Sequence, residues 1–150
     1  MKCIFFALIS CTFNCAIKSQ TAEDSIKATI QGLFTAMQQA DGAGAVASFA
    51  DSAVIQTIEK AKDGSIVVIT DKVVDFGKRV SAAPKGALDE RISFDVIKVD
   101  GPLAIAWTPY QFYYNGTFSH CGVNSFQLLR TAKGWKIQYI IDTRRKTGCR

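Results

Sequence analysis

Apolar positions recur along the chain with two different periods, and the switches between them set the order of elements. Ile26, Ile30, Leu33, Phe34 and Met37 fall three and four residues apart, one face of an amphipathic helix. Thr21 stands just before that run in a capping position, and Asp41-Gly42-Ala43-Gly44 breaks it. A short second helix follows through Val46 and Phe49, with Asp41 as its cap. Residues 53–59 and 65–70 are rich in β-branched side chains and flank Asp63-Gly64, which predicts a hairpin. Helical spacing returns over residues 71–82 through Val73, Phe76, Gly77 and Val80, and Pro84 closes it. From Arg91 the pattern is one of four consecutive strands, turning at Asp100-Gly101, Asn115-Gly116 and Thr131-Ala132-Lys133-Gly134. Asn-Gly and Asp-Gly tolerate the positive φ of tight hairpin turns. The order predicts an α+β fold, a curved antiparallel sheet wrapped against three helices around an apolar pocket.

The turns predict registers, and a register decides which side chains share a face. A two-residue loop at Asn115-Gly116 sets Tyr113 against Phe118, Gln111 against His120, Trp107 against Asn124 and Ile105 against Phe126. A four-residue loop at 131–134 sets Leu128 against Ile137, Phe126 against Tyr139 and Asn124 against Ile141. A two-residue loop at Asp100-Gly101 sets Val96 against Ile105, Phe94 against Trp107 and Ile92 against Pro109. All three registers bring large apolar residues to one face, which is therefore expected to cover the helices. Toward one end that face turns polar, with Gln111, His120, Asn124 and Glu90 joining Trp107 and Tyr113. An apolar cup with a few convergent polar groups is the usual form of a small-molecule site. The opposite face, with Tyr110, Phe112, Cys121 and Val123, is too apolar for a wetted sheet and points to a homodimer.

The first residues read differently. Lys2, the apolar run from Cys3 to Ile9 and the small and polar residues after it form an export signal over residues 1–20, leaving one domain over residues 21–150. Ala16 and Gln20 are both candidate ends of the signal. Leu8-Ile9-Ser10-Cys11 also resembles a lipobox, which would make the product a lipoprotein at Cys11. The run is too short to span a bilayer. A periplasmic or secreted location follows.

The chain has 150 residues, 48% of them apolar and 21% charged, a balance suited to one globular domain. Its net charge of +5 concentrates at the two ends, in Lys2 and Lys18 and in Arg144, Arg145, Lys146 and Arg150. No basic stripe is interleaved with aromatics, which argues against nucleic-acid binding. Of five cysteines, Cys121 and Cys149 lie outside the leader. An oxidising compartment allows them to pair, and the sequence leaves that open. One histidine without cysteine or carboxylate companions makes a metal site implausible. No cofactor is indicated.

The element order, Phe-Ala-Asp-Ser-Ala-Val at 49–54 and Gly-Trp-Lys-Ile at 134–137 resemble the nuclear-transport-factor-2-like superfamily, closest to its SnoaL-like and lumazine-binding-type bacterial members. The resemblance covers roughly residues 22–143. It implies a cone-shaped barrel with a mixed or antiparallel sheet on three helices, enclosing a pocket, and often a dimer. It includes isomerases, cyclases, dehydratases and binding modules, so it does not fix an activity. The isomerase pattern needs a carboxylate inside the cavity, whereas the predicted register puts Asp95 and Asp142 on the outer face.

His120 is the candidate acid–base group, since its intrinsic pKa lies nearest neutrality. Its bland alternative is a hydrogen-bonded residue at the pocket rim. Trp107, Gln111, Asn124 and Tyr139 are the candidate ligand contacts. Asn124 is the most informative, because an amide among inward aromatics needs a partner. Trp107 could equally be core, and the Tyr139 hydroxyl could equally point outward. The function expected is binding of a small apolar or aromatic ligand, with an enzyme acting on a ring-containing or enolisable substrate as the alternative.

Overall fold

The computed structural model describes residues 20–149. The export signal over residues 1–20 therefore lies, but for Gln20, outside the described residues. Helix α1 spans Ala22–Gln38, and Thr21 caps it by accepting from the Asp24 backbone N–H while Asp24 reaches back to Thr21. That reciprocal pair satisfies two of the N–H groups a helix start leaves bare. Ile26, Ile30, Leu33, Phe34 and Met37 form its buried face, as their spacing predicts. Helix α2 (Gly42–Ala47) is capped by Asp41. Helix α3 covers Val73–Ala82. Among the described residues, no helix is long and apolar enough to cross a membrane.

The strands are β1 (Phe49–Lys60), β2 (Ile66–Asp71), β3 (Leu88–Ile92), β4 (Val96–Asp100), β5 (Leu103–Tyr114), β6 (Thr117–Thr131) and β7 (Gly134–Thr143). They form one mixed sheet of seven strands in the order β2-β1-β7-β6-β5-β3, with β4 also on β5. Only β1 and β7 run parallel. The C-terminal half holds five strands rather than the expected four, because the register on β5 shifts by one residue across 93–95, where Ser93 and Asp95 still donate to the Pro109 and Trp107 carbonyls, and the shift splits the first of them. The expected cone-shaped barrel is not formed. Its two ends, β2 on one side and β3 with β4 on the other, do not pair, so the sheet is open.

Helices α1 and α3 and the sheet share one core, in which Phe34 meets Phe126 edge-on at 6.3 Å and Phe49 meets Phe76 at 6.1 Å. Cys121 and Cys149 form a disulfide across a sequence separation of 28. It is consistent with an oxidising, non-cytoplasmic setting.

Two one-residue insertions decide the inner face. Tyr114 opposes Thr117 and Tyr113 opposes Phe118, as the Asn115-Gly116 turn predicts, but Phe112 then opposes His120. Ser119 is the extra residue, and a bulge of this kind shifts everything beyond it. Trp107 consequently faces Ser125, and Thr108 takes the place opposite Asn124. On β5 the inward residues are the buried Ala104, Ala106, Thr108 and Tyr110, while Leu103, Ile105 and Trp107 are exposed on the far face. A second bulge at Gln138 sets Ile140 against Phe126 and Asp142 against Asn124. Ile140 and Asp142 are thereby buried, Ile137 keeps its expected place opposite Leu128, and Tyr139 turns outward, its hydroxyl donating to Gln56 at 2.6 Å. The outer-face dimer surface expected from Tyr110 and Phe112 is corrected accordingly, since Tyr110 is buried on the inner face against Asp142 and Phe112 packs against the core.

Candidate ligand-binding site

A cavity of about 410 Å³ opens between the inner face of the sheet and helices α1 and α3. Its floor is apolar, made by Leu33, Phe34 and Met37 of α1, Phe49 of β1, and Phe76 and Val80 of α3. Its other end collects polar side chains from five strands and the segment after β7: Thr57, Glu90, Tyr110, His120, Asn124, Asp142 and Arg144. A more open groove of about 540 Å³ runs beside α1, α2 and the β6–β7 turn. Its lining has no carboxylate and no histidine, so the convergent chemistry belongs to the first cavity.

Each polar group has a defined place. Asn124, 3% exposed, donates from Nδ2 to Glu90 Oε1 at 2.8 Å. Glu90 is half-buried, and it opens onto the cavity. Burial pushes its carboxyl up to about 7; the Asn124 bond opposes the rise and the negative charge of Asp142 adds to it. Asp142, 8% exposed, accepts from Thr57 Oγ1 at 2.6 Å, from the Tyr110 hydroxyl at 3.0 Å and from Arg144 Nε at 3.1 Å. Three donors thus fix the orientation of its carboxylate. The Tyr110 hydroxyl also lies 3.0 Å from the Thr143 carbonyl, and its single proton serves one acceptor at a time. Burial, with the Asp142 charge behind it, holds the Tyr110 hydroxyl well above the usual phenol range.

His120 stands between rings, 5.1 Å from Phe112 and 5.8 Å from Tyr110, with Nδ1 3.0 Å from Ser119 Oγ. Burial first, then the Arg144 charge, lowers its pKa, which favours a neutral imidazole at pH 7. Gly122, two residues on, lets the strand end close in. A Cβ there would lie 1.7 Å from the Thr143 carbonyl oxygen and 2.8 Å from the Tyr110 ring.

The structure brings together His120 and Asn124 from the sequence-derived set and leaves out the other three. Trp107 is 46% exposed on the far face of the sheet. Gln111 shares that face, accepting from the Tyr113 hydroxyl at 2.9 Å, and Tyr139 is bonded to Gln56. Asp142, expected on the outer face, turns inward, and Glu90 lines the cavity from the inner face, where its predicted register put it. Sequence reasoning placed Asp142 outside because a one-residue bulge is silent in the apolar pattern. Ile140 and Ile141 are adjacent, so either register satisfies the core.

No protein-family model and no curated protein matches this sequence. Solved structures match its fold. A domain of unknown function with a cystatin-like fold from Nostoc punctiforme is 18% identical, over 87% of this chain and 82% of its own, with a TM-score of 0.66. An NTF2-like protein of unknown function from Shewanella baltica is 12% identical over 83% and 94%, with a TM-score of 0.63. A ketosteroid isomerase-like protein from Erwinia carotovora atroseptica is 15% identical over 82% and 95%, at 0.59. At such identities the likeness is one of fold.

Proposed function

We propose, with the nuclear-transport-factor-2-like fold of this chain as the premise, that it binds a small, largely apolar molecule in the cavity beneath α1 and α3. One observation carries the reading: an apolar floor meets a cluster of buried polar groups at one end of the same cavity. The body of the ligand rests on Phe34, Phe49 and Phe76, and its polar end meets Glu90, Asn124 and His120. Native mass spectrometry of the purified protein tests for a retained molecule. Asn124→Leu removes the partner of Glu90, and it should weaken binding at least tenfold while a melting curve moves little. Equal binding by variant and wild type would remove Asn124 from the site.

A second reading, proton-transfer catalysis, is favoured by Glu90. A carboxyl titrating near 7 in one cavity with a neutral imidazole is suited to hold and release a proton at physiological pH. In that reading Glu90 is the proton carrier, and His120 is a second titratable group of the same cavity. A bell-shaped pH–rate profile that loses one limb in Glu90→Gln supports it.

The location we propose is the cell envelope, supported by the leader pattern over residues 1–20 and by the disulfide. N-terminal sequencing of protein from that compartment tests it, and an intact Met1 on a cytoplasmic product would end the idea.

A further inference from the structure

We propose that the occupant of the cavity is a small apolar anion, a monocarboxylate, whose charged end is gripped by Arg144 beside Glu90. This rests on the ligand-pocket reading above and narrows it. Arg144 lines the cavity and stands at its rim, its side chain 46% exposed. Its Nε donates to Asp142 at 3.1 Å and its Nη2 to Thr57 at 3.2 Å, while Glu59 is 3.7 Å away, too far for a hydrogen bond. A guanidinium has five N–H donors in a rigid fork, so three make no hydrogen bond here, two of them on the Nη1 that Glu59 attracts. Asp142 and Thr57 hold the fork in place without using it up.

The second support is Glu90. Asn124 occupies its Oε1, so a proton on Oε2 is directed to whatever else enters the cavity. A protonated carboxyl donates to an anion, whereas an ionised one repels it.

The third is the charge around Glu90. Asp142 of β7 is paired with Arg144, and Asp71 of β2 is paired with Arg79 of α3 at the same cavity. Asn124 and His120 come from β6 and Tyr110 from β5, none of them charged at neutral pH. Asp89 and Arg91, on the strand of Glu90 itself, pair with each other, and the facing Gln38 of α1 is uncharged. With Glu90 protonated, the charges that line the cavity balance, Asp142 against Arg144 and Asp71 against Arg79, while Glu59 of β1 is a further carboxylate against Arg144 from outside the lining.

The probes are 3-phenylpropanoate and its neutral amide, titrated calorimetrically at pH 6, 7 and 8. The acid should bind about tenfold tighter than the amide at pH 6, as a charge-assisted contact does. Its affinity should fall toward about tenfold per pH unit above the Glu90 midpoint, because the bound anion and the Glu90 proton are linked. Arg144→Gln should bring the acid-to-amide ratio close to one, and Arg144→Lys, which keeps the charge, should restore part of it. Glu90→Gln should flatten the pH dependence. Melting curves of each variant separate a lost contact from a lost fold, and the wild-type ratio decides even if a variant fails to fold. Equal or tighter binding of the amide overturns this inference and leaves the pocket reading standing. Failure of both probes at millimolar concentration overturns both.

Discussion

Glu90 sits where its carboxyl is costly to ionise, and that ties stability to pH. Its midpoint in the folded protein, about 7, lies above the ordinary 4.5 of an unfolded chain. Between those values the folded state keeps a proton the unfolded state has lost, so stability falls as pH rises through that window and levels off above it. The loss is at most about 3 kcal/mol. Glu90→Gln should abolish that slope and exceed wild type in stability at pH 8. Urea midpoints at pH 5, 6, 7 and 8 measure it, and parallel slopes in the two proteins would clear Glu90 of the effect. At this scale the sequence was legible in part. An amide in an apolar strand announced Asn124, and His120 was the sole imidazole. Asp142 gave no such sign, since its inward turn depends on one extra residue in β7.

Elements were more legible than their registers. Both helix caps, Thr21 and Asp41, the apolar face of α1 and the Asn115-Gly116 turn follow from local chemistry, and local chemistry is written in adjacent residues. The inner face of β5 depends on distant packing. The expectation favoured Leu103, Ile105 and Trp107 for their size, whereas the core takes Ala104 and Ala106, in one cluster with the bulky Ile30 and Phe34 of α1. Sheet and helix divide the volume between them, and single-strand patterns do not record the division. Gly122 marks the tightest such approach, β6 against the end of β7. Gly122→Ala should destabilise the fold by about 2–3 kcal/mol, as overpacked cores do, and should loosen the Tyr110 contacts. Denaturant unfolding checks the first effect, and tyrosine fluorescence checks the second. A variant as stable as wild type would show that the Thr143 carbonyl yields freely.

At the scale of the whole molecule, the outer face of the sheet exposes large apolar side chains among Lys98, Ser125 and Gln127. Val96, Leu103, Ile105 and Trp107 lie on β4 and β5, and are 40%, 51%, 44% and 46% exposed. We propose that a second copy of the chain covers this face, since exposed apolar patches of neighbouring large side chains mark interfaces. Trp107→Lys should yield monomers in analytical ultracentrifugation with the melting temperature of a single chain preserved. A wild type already monomeric at high concentration would rule the interface out. The disulfide has a consequence of another kind. Cys121 lies early in β6 and Cys149 beyond β7, so residues 121–149 form a closed covalent ring. Asn124, Asp142 and Arg144 all ride on it. Opening that ring at its far point, the β6–β7 turn, leaves it an unbroken tether. A protein cut only after Lys133 should run as one species on a non-reducing gel and as two when reduced, with these three site residues still joined until the reductant is added.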